Sequence, residues 1–269
     1  MSHLRSIALR SIPDGQASQF PFSVPVIRTL STLETDAAVT FLVGENGSGK
    51  STLLEGIAAA AGLPAVGSES VDRDATLSSQ RALGHALKLV WTHRTRRGFF
   101  LRAEDFFGFA KALSKLRAEL LARVDELEDE YRERSAYAKG LAQGPLRASV
   151  ADMERRYGIN LDENSHGQSF LKLFQSRFVP GGLYLLDEPE APLSPQSQLA
   201  LIAMIGDMVR ADAQFIIATH SPILLGFPDA TIYSCVRAPV ERVAFEELEH
   251  VVITREFLND RARYLRHLR

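Results

Sequence analysis

The sequence predicts an α/β fold with parallel strands at its centre, and three observations carry that prediction. Val39–Val43 is an apolar run followed by a glycine-rich turn and then by a helix-like segment, Lys50–Ala61. Residues 183–186, Leu-Tyr-Leu-Leu, form a second apolar run, which ends in Asp187-Glu188-Pro189. Residues 215–218, Phe-Ile-Ile-Ala, form a third, separated from the second by one helix length, Pro195–Arg210. Strand, helix and strand at that spacing make a parallel crossover. With 269 residues the chain can bury one large core, as a single domain or a domain with a small insertion.

Taken in order, residues 1–43 read as two or three strands, punctuated by Pro21, Pro25 and the polar stretch 32–36. Residues 63–80 are polar and glycine-bearing and read as a mobile loop. Residues 86–92 and Gly98–Arg102 read as an antiparallel hairpin joined through 93–97. An insertion at 103–160 follows, inside a single domain spanning 1–269. In it Phe106, Phe109, Leu113, Leu116, Leu120, Val124, Leu127 and Tyr131 recur three or four apart, a helical seam of heptad type. Leu146, Val150, Met153 and Tyr157 repeat the spacing after a break at 140–145. The expectation is a helical hairpin of ~30 residues up and ~15 back. An ordinary helical subdomain packed on the core fits the same pattern. A further helix is expected at 169–178, and a last one at the carboxyl end.

The turn after Val39–Val43 reads Gly44-Glu45-Asn46-Gly47-Ser48-Gly49-Lys50-Ser51-Thr52 and fits G-x-x-x-x-G-K-S/T. Its glycines let the backbone N–H groups curl toward phosphates, and the following helix adds the positive end of its dipole. Lys50 is placed to reach the β- and γ-phosphates, and Ser51 to offer its hydroxyl to Mg²⁺. The turn therefore implies ATP or GTP. A buried strand ending in two carboxylates is costly unless a cation sits there. Asp187 is the candidate to hold Mg²⁺ through water, and Glu188 to act as general base on the attacking water. Thr219-His220-Ser221 ends the third strand, so His220 is expected beside Glu188 at the carboxyl ends of neighbouring strands. Ser165, Gly167 and Gln168 open the 169–178 helix and make a second phosphate-binding helix start, a weak signal alone.

In this order the four pieces resemble the ATP-binding cassette (ABC) ATPases. Residues 44–52 look like Walker A, and Ser165-His166-Gly167-Gln168 like the signature motif, with His166 where a glycine usually stands and Asn164 where leucine is common. Residues 183–194 look like Walker B plus D-loop, with Ala191-Pro192-Leu193-Ser194 in the D-loop place and Ser194 where transporters carry Asp. Thr219-His220-Ser221 looks like the H-switch. For the coupling and metal-binding Q-loop position the candidate is Glu104, after the strand Gly98–Arg102, with Gln80 as runner-up. Phe20 and Phe22 are candidates for stacking on adenine. The variant signature and the wording DEPEAPLSP are more similar to the soluble "predicted AAA-family ATPases", relatives of the SMC, RecF and overcoming-lysogenization ATPases, than to transporter subunits. The resemblance implies a P-loop NTPase of the ABC-head type with an antiparallel β subdomain. It also implies Mg²⁺-dependent ATP hydrolysis, with Glu188, His220 and Lys50 catalytic, and a homodimer in which two chains clasp two ATPs head to tail.

Bulk properties narrow the setting. A net charge of −2 excludes a generally basic nucleic-acid coat, though not a local patch. Two such patches are candidates, 93–97 and the set Arg255, Arg261, Arg263, Arg266 and Arg269; a solvated face balanced by acidic residues is the simpler reading of both. The single cysteine, Cys235, allows no internal disulfide and suits the cytosol. No apolar run reaches the ~18–20 residues of a membrane span, so no membrane insertion of its own and a cytoplasmic location are expected. The leading expectation is an ATPase engine for nucleic-acid maintenance or defence, coupled to an unidentified effector or nucleic acid. The alternatives are the ATPase subunit of a membrane transporter and an ATP-gated binding module, the latter disfavoured by Glu188.

Overall fold

The computed structural model describes residues 2–66, 78–157 and 166–266. Its main sheet has six strands in the order β5-β6-β7-β3-β8-β9, with β3 at Val39–Val43, β5 at Gly98–Arg102, β6 at Leu183–Asp187, β7 at Gln214–Ala218, β8 at Thr231–Ser234 and β9 at Glu241–Arg242. All pairs are parallel except β8 with β9. Strands β3, β6 and β7 are buried along their whole length, as continuous apolar runs in a parallel sheet must be. Alternate residues feed two cores. Phe41, Tyr184, Leu186, Phe215 and Ile217 point to one face, where α6 (His166–Arg177) and α7 (Pro195–Arg210) contribute Phe170, Phe174, Leu201 and Ile205. Leu42, Leu185 and Ile216 point to the other, against Leu53, Leu54 and Ile57 of α2 (Lys50–Ala61).

The second core is shared with a three-stranded antiparallel sheet, β2-β1-β4, made of β1 (Leu4–Leu9), β2 (Thr32–Glu34) and β4 (Leu87–Trp91). A single fully buried side chain clamps the two sheets. Gln214 Oε1 accepts the N–H groups of His3 (2.9 Å) and Leu4 (2.7 Å), and its Nε2 donates to the carbonyls of Leu4 (2.8 Å) and Thr35 (2.5 Å). The short helix α1 (Pro25–Arg28) links β1 and β2.

The expected hairpin of 86–92 with 98–102 does not form. β4 pairs with β1 in the small sheet, and β5 pairs in parallel with β6 in the large one. The reason is burial: Phe99, Phe100 and Leu101 are all buried, which suits a parallel strand covered on both faces. β4 is fully buried only at Leu87 and carries the exposed Lys88. The loop reading of 63–80 also needs correcting at both ends. Val66 N–H donates to Phe100 O and Phe100 N–H to Pro64 O, each at 2.9 Å, and α3 spans Ser78–Ala86. The stretch between, 67–77, lies outside the described residues.

Two helices occupy the region after β5: α4 (Ala103–Glu130), 28 residues, and α5 (Ala136–Tyr157), 22 residues. The break expected at 140–145 is absent, and the returning helix is longer than anticipated. Pro145 lies inside it at an exposed position, and the lost backbone bond is offset by packing on α4. Gln143 is buried between the helices and donates to Val124 O at 3.1 Å and Glu128 Oε2 at 3.2 Å. Val124, Leu127 and Val150 are buried, whereas Leu116 is 47% exposed, so the seam rotates off the partner helix. A 3.6-residue helix drifts against a 3.5-residue repeat in this way. At the base, Phe106 packs edge-on against Phe170 of α6, with centroids 4.7 Å apart. α8 (Pro222–Leu225) follows β7, and the carboxyl end is two helices, α9 (Glu249–Asn259) and α10 (Arg261–Leu265), split at Asp260, which caps α10.

Candidate functional site

The glycine-rich turn joins β3 to α2 as expected, at the carboxyl edge of the main sheet. Gly49 takes φ 98°, a left-handed value, and a Cβ there would lie 2.6 Å from Val24 Cγ1. A Cβ on Gly44 would lie 2.8 Å from Ser48 Oγ and 3.1 Å from the Cys235 carbonyl carbon. Both positions therefore exclude larger residues. Lys50 is 4% exposed and folds back over the turn, its Nζ donating to Gly44 O (2.6 Å) and Glu45 O (3.0 Å). Burial lowers its pKa, against the opposing charges of Glu188, Cys235, Asp187 and Glu190.

β7 lies between the strand of the turn, β3, and the acidic strand, β6, so its end projects between Lys50 and Glu188. Asp187 ends β6, only 6% exposed, and takes a hydrogen bond from Ser51. Burial pushes its carboxyl up from 3.8 to about 6, although the Ser51 bond and the Arg102 and Lys50 charges pull the other way. Asp187 Oδ1 is buried with no hydrogen-bond partner among the described residues. A carboxylate oxygen orphaned beside a serine hydroxyl suits a hard divalent cation that takes one or two protein oxygens and completes its shell with phosphate and water. No group of three or more His, Cys, Asp or Glu capable of holding a metal exists among the described residues.

Glu188 follows at φ 50°, a left-handed value that is uncommon outside glycine and is stored strain at a strand end. Its Oε1 lies 3.5 Å from His220 Nε2. The expected neighbours thus meet. Lys50, Ser51, Thr52, Asn46, Gly47, Gly49, Asp187 and Glu188 share one cleft of about 740 Å³, also lined by Phe20, Val24, Arg102 and Ala191. Of the two candidate aromatics, Phe20 is on the cleft wall, 55% exposed, and Phe22 is a core residue. A second cleft of about 660 Å³ is lined by Gly44 and Glu45 of the turn and by His220, and in it His250 is held below the usual histidine range by burial and by His220.

Other expectations fall elsewhere. Ser165 and the Glu104 side chain lie outside the described residues. Gly167 and Gln168 sit in the first turn of α6 and do not line the 740 Å³ cleft; a Cβ on Gly167 would lie 3.1 Å from Pro192 O. Gln80 is on α3, also away from that lining.

The sequence reading missed an ion pair and a carboxylate. Arg102, opposite Asp187 in the β5–β6 register, pairs with Glu55, which is buried one turn beyond Ser51 on the same face of α2. The signals were an arginine ending an apolar strand and a lone acid within Leu53–Ala61's apolar run. Glu190 accepts the His220 N–H at 2.7 Å; nothing in the wording DEPE set it apart.

Residues 39–148 match the family model described as "AAA domain, putative AbiEii toxin, Type IV TA system". The matched stretch, 110 of the 269 residues, holds the glycine-rich turn and is similar to an AAA domain. No curated protein matches the chain by sequence. Among solved structures, the chain is similar to the ADP conformation of an ATP-binding cassette of an ABC transporter, at 15% identity over 96% of this chain and 98% of that one, TM-score 0.49. It is also similar to the Smc head domain of Pyrococcus furiosus with an extended coiled coil (13%, 97% and 100%, TM-score 0.46). A third likeness is the SMC head domain from Thermotoga maritima (13%, 90% and 98%, TM-score 0.42). Identities and scores this low are no basis for transferring function. No described helix of the chain is long and apolar enough to cross a membrane.

Proposed function

We propose that the cleft takes ATP with Mg²⁺, that Glu188 is the general base, and that hydrolysis drives the opening of a head-to-tail homodimer. The observation that carries this reading is the convergence of Lys50, the Ser51–Asp187 pair with its orphaned Oδ1, and Glu188 on one cleft, with His220 on the wall of the neighbouring cleft 3.5 Å from Glu188. Backbone amides of residues 44–52 and Lys50 bind the β- and γ-phosphates, and Phe20 flanks the adenine side. Ser51 and Asp187, with Glu104 as the further candidate, hold Mg²⁺, which when bound neutralises charge building up on the phosphates. Glu188 accepts a proton from water as its oxygen attacks the γ-phosphorus. The bond from that phosphorus to the bridging oxygen breaks, and ADP carries the electron pair. His220 holds the γ-phosphate in line.

Ser165, Gly167 and Gln168 are assigned to the partner's ATP. Gly167 and Gln168 stay off their own cleft lining, which supports a role in trans. Residues 103–160 act as an insertion within one ATPase domain and as the port for an effector. The matched family's description names a toxin of a type IV toxin–antitoxin system, which favours defence, alongside nucleic-acid maintenance, over transport. A cytoplasmic setting agrees with the single buried cysteine.

The test is a mixed dimer. Lys50→Ala and Ser165→Arg chains are each inactive alone. Combined, they leave one composite site with both lesions and one with none, so part of the ATPase activity returns. No recovery, with heterodimers demonstrated, puts the signature in cis and ends the sandwich reading.

A further inference from the structure

Glu188 and His220 stand on different strands, so their separation is set by how the loops beyond β6 and β7 are fastened together. The parallel ladder ends at the pair Asp187 and Ala218, with one more backbone bond from Glu188 N to Ala218 O at 2.9 Å. Beyond that point the His220 amide has no strand to pair with. Its N–H is donated to Glu190 Oε1 at 2.7 Å. One residue on, Ser221 Oγ donates to Gln198 Oε1 at 2.5 Å, and Gln198 Nε2 donates to Leu193 O at 3.2 Å. The segment that carries His220 is thus tied twice to the segment that follows Glu188. The first tie is the stronger, because an ionised acceptor roughly doubles a hydrogen bond.

Glu190 is not a second base. One oxygen is committed to the amide, the other is buried, and the residue does not line the ATP cleft, whereas Glu188 does. We infer that Glu190 is a positioning residue of the ATPase reaction, whose carboxylate holds the His220 backbone so that the imidazole stays set against Glu188 and the γ-phosphate. This rests on the role given to His220 above.

The experiment is steady-state ATP turnover and ATP binding on Glu190→Ala, Glu190→Met, Glu190→Gln, His220→Ala and the Glu190→Ala/His220→Ala double variant. A displacement of about 1 Å in such a group costs on the order of 100-fold in rate, so Glu190→Ala or the size-matched Glu190→Met should lose ~10–100-fold in kcat. ATP affinity should stay within about threefold, because Glu190 touches no nucleotide. Glu190→Gln, whose amide oxygen still accepts the N–H, should keep kcat within about threefold of wild type. In the His220→Ala background, adding Glu190→Ala should change kcat less than about twofold, since the two act as one unit. Wild-type kcat in Glu190→Ala and Glu190→Met while His220→Ala is slow overturns the tie alone. A Glu190→Gln variant as slow as Glu190→Ala, or multiplicative losses in the double variant, shows that Glu190 acts by another route. Wild-type turnover in His220→Ala removes the role of His220 and the inference with it.

Discussion

Asp187→Asn should make the protein more stable and catalytically dead, and the gain should depend on pH. The folded protein holds the Asp187 proton more tightly than the unfolded chain does, with the carboxyl raised from 3.8 to about 6 by burial. Its contribution is therefore intact below pH ~4 and lost as pH rises through about 6. At about 1.4 kcal/mol per pH unit, that rise means about 3 kcal/mol of stability forgone at about pH 8. Asparagine keeps an oxygen for the Ser51 hydroxyl and carries no charge to desolvate. Denaturant melts of both proteins in EDTA at about pH 8 should then differ by about 3 kcal/mol in favour of the variant, and the gap should close toward pH ~4. At ~2–4 °C per kcal/mol for a chain of this size class, the thermal shift is several degrees. Mg²⁺ with ATP should stabilise the wild type more than the variant, because the variant keeps Lys50 and Ser51 for the nucleotide but loses the charged ligand of the ion. A gap independent of pH, or a variant less stable than wild type at about pH 8, would refute the picture of a buried carboxylate waiting for a cation.

Two other perturbations test different parts of the molecule. Gln214→Leu orphans the N–H groups of His3 and Leu4 and the carbonyl of Thr35, while Leu4 O keeps the Thr35 hydroxyl; at ~1–3 kcal/mol for a buried unpaired group, urea melts should show a loss of at least ~3 kcal/mol. A loss under ~0.5 kcal/mol would mean the two sheets do not depend on this clamp. Lys50→Ala removes the turn's buried cation, and calorimetric ATP affinity should fall by about 100-fold or more, with wild-type affinity counting against the phosphate-loop assignment.

The parts of this fold that were legible in the sequence are those where one local rule has one solution. Val39–Val43, the glycine turn and Lys50–Ala61 follow from apolar run, φ requirement and helix periodicity, and the structure has the same bounds. Pro195–Arg210 is as plain, because Ser194 caps it and Pro195 opens it. β4 and β5 were legible as strands but not in their pairing, since sequence adjacency favours a hairpin and only the all-buried run at 99–101 betrayed the parallel partner. Pro145 misled because a break is the local rule and packing against α4 is a tertiary answer. In the candidate site, motif spacing singled out Lys50, Ser51, Asp187, Glu188 and His220, which the structure places at the carboxyl edge of one sheet. Arg102 and Glu55 escaped it because their pairing joins a strand end to a helix face 47 positions away in the chain, a contact no spacing encodes.

The most direct measurement is phosphate release from ATP, in Mg²⁺, by the wild type beside Glu188→Gln, with ATP binding measured on both. The variant keeps the shape of the side chain and cannot take the proton. Wild type should turn over; Glu188→Gln should bind ATP as tightly, release phosphate at least ~100-fold more slowly, and accumulate as an ATP-bound dimer on a sizing column. Turnover by Glu188→Gln at the wild-type rate would contradict the account, because the proton would then be leaving the attacking water by a path that does not pass through the end of β6.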